Sequence, residues 1–156
     1  MIDKEQYEGY FADCYVLTNK RTKEFIFSFL DNFIPNRKES ADEYEIPQYA
    51  ENPNFIFKTD VEIIDYLTEN RHEIHTIYWA NNDLSEIRGA MCFFTNDEQL
   101  IVGLYCETNF PDTTIEQKYF NLLQNYCESN NAYITYEEPT MHNSIEFLER
   151  MKLFNK

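Results

Sequence analysis

The sequence predicts a single α+β domain: a mixed, largely antiparallel sheet of about six strands, with a central hairpin near residues 89–105, covered by about four helices. Three observations lead there. Two strand-favouring apolar runs, 89–94 and 100–105, flank Thr95-Asn96-Asp97-Glu98-Gln99, the polar connection a hairpin needs. Ala90, Met91, Cys92, Phe93 and Phe94 are consecutive apolar residues, so both faces of that strand must be covered, as in a sheet centre packed by helices. At 156 residues the chain is long enough for one core and short for two.

The elements follow in order. Residues 1–11 are polar with spaced aromatics Tyr7, Tyr10 and Phe11, suiting a short helix or a surface arm. DCYVLT at 13–18 reads as a strand, and Asn19 or Thr22 can cap the next helix. Over 23–34, Phe25, Ile26, Phe29, Leu30 and Phe33 fall at helical spacing, and Pro35 stops the run. Residues 35–53, with prolines at 35, 47 and 53 and no sustained periodicity, read as a long irregular loop. NFIFK at 54–58 is a short strand, and Thr59-Asp60-Val61-Glu62 has the form of a capping box opening a helix that buries Val61, Ile64 and Leu67. HTIYW at 75–79 leads through a turn into the hairpin. Thr113-Thr114-Ile115-Glu116 repeats the capping-box form, opening a helix lined by Ile115, Tyr119, Leu122, Leu123 and Tyr126. AYITYE at 132–137 is the last strand, and Asn143 can cap a C-terminal helix.

Charge excludes some functions. With 28 acidic against 13 basic residues the formal charge is -15, yet 17% of residues are aromatic, so the charge sits on a folded surface and not on a disordered tail. Such a chain lacks the cations that neutralise phosphates or hold an anionic membrane surface, and its field attracts a basic protein partner. The bland account of the same acidity is solubility for an aromatic-rich protein. Cys14, Cys92, Cys106 and Cys127 form no CxxC pair and read as reduced core residues of a cytoplasmic protein. No run approaches the length of a membrane span, and the N-terminal residues do not have the pattern of an export signal.

Chemistry-bearing motifs are sparse. His72 and His75 are three apart, not at the HExxH spacing that puts two zinc ligands on one helical face, so no metal and no cofactor is assigned. Gly9, Gly89 and Gly103 are the only glycines, which rules out a glycine-rich phosphate cradle; Gly89 and Gly103 lie in strands, where they mark bulges or close packing. There is no GxSxG elbow. If the strands ending at Glu107 and Glu137 finish on one side of the sheet, Glu107, Glu137 and His142 converge into a cluster fit for acid–base work. A Cys106–His142 nucleophile pair needs the same convergence.

The 35–53 loop carries the other candidates. Glu39, Asp42, Glu43, Tyr44, Glu45 and Tyr49 place aromatics among carboxylates, which suits a protein-binding surface: rings supply contact area and charges select the partner. The plain alternative is a loop anchored to the body by Tyr44, Ile46 and Tyr49. In size and charge alone, the chain resembles the small acidic immunity proteins of bacterial toxin systems. That resemblance implies a non-catalytic, cytoplasmic inhibitor of a basic toxin or nuclease. The competing readings are a small enzyme built on Glu107, Glu137 and His142, and a structural domain that oligomerises through its Phe and Tyr residues; the oligomeric state is left open.

Overall fold

The computed structural model describes residues 11–155, so the expected arm over 1–11 lies outside them except for Phe11. Strand β1 (Phe11–Thr18) leads to helix α1 (Lys23–Phe33), and three short strands follow: β2 (Arg37–Glu39), β3 (Tyr44–Ile46) and β4 (Phe55–Phe57). Helix α2 (Asp60–Glu69) precedes the meander β5 (His75–Asn81), β6 (Ile87–Phe94) and β7 (Leu100–Glu107). Helix α3 (Thr114–Cys127), β8 (Ala132–Tyr136) and α4 (Ser144–Phe154) complete the described chain. The α+β class stands as expected.

The main sheet has six strands in the order β2-β5-β6-β7-β1-β8, and every neighbouring pair is antiparallel. Helical crossovers had pointed to some parallel pairing. Those through α1 and α3 do join parallel strands of this sheet, but never neighbours: β5, β6 and β7 lie between β2 and β1, and β1 lies between β7 and β8; α2 joins β4 of the small sheet to β5. The core β1-α1-β6-β7-α3-β8 is thus a split β-α-β arrangement, extended at one edge by β5 and β2. The 54–58 run forms β4, which pairs with β3 in a separate two-stranded sheet. The 35–53 stretch supplies β2 and β3; three-residue strands are too short to leave a periodic signal in the sequence.

Each sheet face is covered. Cys14, Val16, Trp79, Cys92, Phe94 and Val102 point to one side, where Ile26, Phe29 and Leu30 of α1, Ile63, Ile64 and Leu67 of α2 and Tyr119 and Leu123 of α3 pack on them. On the other side Tyr15, Leu17, Met91, Phe93, Ile101 and Tyr133 meet Phe147 of α4. The run Ala90 to Phe94 is buried throughout, as its unbroken apolar character requires. All four cysteines are buried and free.

Capping explains three of the four helix starts. Thr22, Thr59 and Asn143 each accept a backbone N–H from the first turn of α1, α2 and α4. The second capping box does not form. Thr113 makes no cap bond, and Asp112 Oδ1 takes the Thr114 N–H at 3.0 Å instead. Glu116 turns inward: it is fully buried, and its Oε2 accepts from Thr108 at 2.7 Å and from the Tyr136 hydroxyl at 2.8 Å. Its other oxygen has no hydrogen-bond partner among the described residues. With Glu116 and Cys127 facing inward, the apolar stripe of α3 rotates and Leu122 is exposed. On α2, Ile63 takes the buried place expected of Val61.

Arg21 holds the sheet end and α2 together. It is fully buried, and its guanidinium donates to the carbonyls of Leu67, Asn70, Glu73, Thr95 and Gln99 at 2.7–3.2 Å while lying over the Phe94 ring. Burial lowers its pKa to about 10, still far above neutral pH, so the charge persists and the carbonyl dipoles stabilise it.

Candidate functional site

The residues on the α4 side of the sheet follow from strand alternation. Tyr78, Met91, Gly103, Tyr15 and Tyr133 form one cross-strand row, and Gly89, Tyr105, Asp13 and Thr135 form the next. Both glycines are there for close approach. A Cβ at Gly89 would collide with the Tyr105 ring, whose hydroxyl instead bonds the Trp79 carbonyl at 3.0 Å. A Cβ at Gly103 would meet Tyr15 at 2.9 Å and Met91 at 3.0 Å. The register also shifts between Ile87 and Gly89, so both readings of this glycine, bulge and close packing, hold.

Helix α4 covers only part of this face. Beyond it lies a cavity of about 290 Å³ lined by Phe11, Asp13, Tyr15, Tyr78, Tyr105 and Glu137, among others. Asp13 is 7% exposed, and its Oδ2 accepts the Glu138 N–H at 3.0 Å. The Tyr15 hydroxyl donates to the Glu138 carbonyl at 2.7 Å, so the chain leaving β8 is pinned across the sheet. Burial, opposed by the Glu138 amide, pushes the Asp13 carboxyl up to about 7.

A second cavity, of about 310 Å³, lies between the 40–49 segment and β5, and Tyr78 lines both. Gln48 builds its wall: its amide donates to the Thr76 carbonyl at 3.0 Å and accepts the Thr76 N–H at 2.8 Å, capping the stretch of β5 that β2 leaves unpaired. Buried His75 adds a ring nitrogen 3.1 Å from the Glu45 carbonyl, and burial lowers its pKa.

The six loop residues separate into two groups. Tyr44 is buried, and its hydroxyl donates to Glu39, which also accepts the Asp60 N–H at 2.6 Å; both residues are engaged inside the fold. Tyr49 is 83% exposed with a φ of 66°, and Glu45 Oε1 accepts its N–H at 2.9 Å. Asp42 and Glu43 are exposed, Glu43 pairing with Lys58 at 2.7 Å. Tyr49, Asp42, Glu43 and Glu45 therefore form the outward part of the segment.

Glu107, Glu137 and His142 are not brought together. Glu107 and Glu137 do finish at one end of the sheet: Glu107 is opposite Phe11, and Glu137 follows Tyr136, which is opposite Ala12. His142 instead bonds Thr76 Oγ1 at 2.6 Å, in the row of Phe93, Ile101 and Leu17. Between the rows of Phe11 and Leu17 the strand covers roughly 20 Å at about 3.3 Å per residue. Cys106, buried opposite Ala12, is five residues along the strand from that row, roughly 17 Å by the same spacing. No group of three or more His, Cys, Asp or Glu residues that could hold a metal occurs among the described residues. No described helix is long and apolar enough to cross a membrane.

Two residues that shape this face carried no motif. Asp13 was visible only as the polar start of a strand, although alternation with Tyr15 and Leu17 places it on their face. Tyr78 sat inside HTIYW with nothing to mark it as the 37% exposed ring between two cavities. In comparisons with known proteins no family pattern matches the chain, and neither a curated protein nor a solved structure is measurably similar to it.

Proposed function

We propose that the protein is a non-catalytic acidic binding domain, and most specifically an immunity-type inhibitor that masks a basic protein such as a toxin or nuclease. The observation that carries this reading is Tyr49. A large ring left 83% exposed in the left-handed region costs backbone strain and buries little in the free protein. Exposed aromatics of this kind anchor interfaces, because a rigid ring gives contact area at little entropic cost. Around it Asp42, Glu43 and Glu45 supply negative charge, and Tyr78 continues the aromatic surface onto the sheet. An overall charge of -15 extends that field and speeds encounter with a cationic partner. The same charge weighs against nucleic acid and anionic lipid as partners.

The test begins with capture of proteins from the source cell's lysate at low salt, their release by stepwise salt, and identification of any basic protein released. For that protein, Tyr49→Ala should weaken binding by about tenfold or more, as interface tyrosines do, with thermal stability unchanged. Replacing Asp42, Glu43 and Glu45 with Ser should weaken it further. Equal affinity of the Tyr49→Ala variant and the wild type would remove this surface from the account.

A further inference from the structure

We propose that the cavity on the α4 side of the sheet, beside Asp13, is a receptor for an alkylammonium group. The walls have the required chemistry. Phe11, Tyr78 and Tyr105 are aromatic residues around the opening, with the Phe11 and Tyr105 ring centres 5.9 Å apart, and ring faces attract an organic cation. The Asp13 carboxylate lines the same cavity, 7% exposed, with the Glu138 N–H at 3.0 Å on Oδ2. The Glu137 amide also acts on this carboxylate, and two amides leave part of the acceptor capacity of an ionised carboxylate, about four lone-pair sites, free. Among the described residues no cation lines the cavity, whereas Asp13, Glu137 and Glu138 all do.

The shape of the charge selects ammonium over guanidinium. With the backbone amides of Glu137 and Glu138 both acting on this carboxylate, a planar fork that needs both oxygens is obstructed, while a compact ammonium needs only one remaining lone pair. The alkyl stem would then lie along Tyr15 and Met91, which the missing Cβ of Gly103 lets sit together beneath the opening.

Burial explains why the carboxyl gives up its proton only near neutrality. The groups around Asp13 are Tyr15, Tyr78, Tyr105 and Tyr133 on the strands and Glu137 and Glu138 after β8; Arg88 stands near Tyr105, and Arg150 of α4 is paired with Glu138. Within this set Asp13 holds its proton up to about pH 7, so a bound ammonium must displace it at lower pH. Alkylamines remain protonated throughout, since their pKa lies near 10.

This inference stands on the cavity and does not need the acidic loop: a lysine side chain of a partner and a free amine present the same head group. The experiment is an NMR titration of the intact protein with n-butylammonium chloride at about pH 8, with 1-pentanol as the neutral counterpart. Saturable shifts are expected at Phe11, Tyr78 and Tyr105, with affinity in the millimolar range. Asp13→Asn, which keeps an acceptor for the Glu138 N–H, should weaken binding by about tenfold or more. Lowering the pH to about 5 should weaken the wild type similarly and leave the variant unchanged. The Ser variants of Asp42, Glu43 and Glu45 should bind n-butylammonium normally, which separates this site from the loop. N-acetyl-lysine methylamide binding more tightly than n-butylammonium assigns the site to a peptide lysine; equal or weaker binding assigns it to free amines. The proposal is overturned if no saturable shift occurs at these residues, if 1-pentanol binds as well, or if Asp13→Asn binds equally.

Discussion

Asp13 stands where a carboxylate is expensive, among Tyr15, Tyr78 and Tyr105 and beside Glu137 and Glu138. Burial raises its pKa from 3.8 to about 7, so the folded state holds the proton more tightly than the unfolded chain. The stabilisation from this group is therefore complete below about pH 4 and is lost as pH rises through about 7, by about 1.4 kcal/mol for each pH unit between those two values. Asp13→Asn removes the ionisation and keeps the acceptor. In denaturant melts the variant should exceed the wild type by a few kcal/mol at about pH 8 and approach it near pH 4. An equal difference at both pH values would mean that ionisation of Asp13 is not what the burial acts on. A residue that costs the fold stability in its charged form is a reasonable place to look for function.

At this scale the sequence was hardest to read. Tyr44 and Tyr49 look alike in a loop of mixed charge and rings, yet one is buried against Glu39 and the other stands outside. Arg21 lay between strand and helix with no motif, because its partners are carbonyls from 67 to 99, and backbone carbonyls leave no mark on a sequence. Glu116 fits the capping-box pattern, but the Tyr136 and Thr108 hydroxyls that draw it inward belong to other elements.

Elements were far more legible, since periodicity and caps are local. The order of strands and helices, the hairpin at the sheet centre and the cap at Thr59 all follow from patterns within a few residues. What failed needed long-range information: the antiparallel pairing of every neighbour, the two short strands after α1 and the rotated face of α3. The two threonine caps test the difference. Thr59→Ala removes the acceptor of the Glu62 N–H, 3.2 Å away, and should cost about 1 kcal/mol. Thr113→Ala removes no cap bond and should cost only a few tenths of a kcal/mol, as for a change without a lost interaction. Chemical denaturation of both variants measures the pair, and equal losses would restore the capping box at Thr113.

Across the whole molecule, the arrangement is a rigid sheet with one aromatic, acidic side left partly open. α1, α2 and α3 seal one face, α4 seals part of the other, and the 40–49 segment closes the edge of β5 while presenting Tyr49 outward. The roughly 20 Å of strand between the end where Glu107 finishes and the row where His142 bonds Thr76 leaves the acid–base cluster without a shared centre. Charge is the property that acts at this scale, because a field from -15 reaches a partner before any contact forms. The most direct measurement is therefore the association rate constant of the captured basic partner, followed against ionic strength for the wild type and for the Ser variant at Asp42, Glu43 and Glu45. A steep fall with salt for the wild type and a shallower one for the variant is the expected result. A rate that ignores salt, or falls identically in both proteins, would contradict the acidic binding surface.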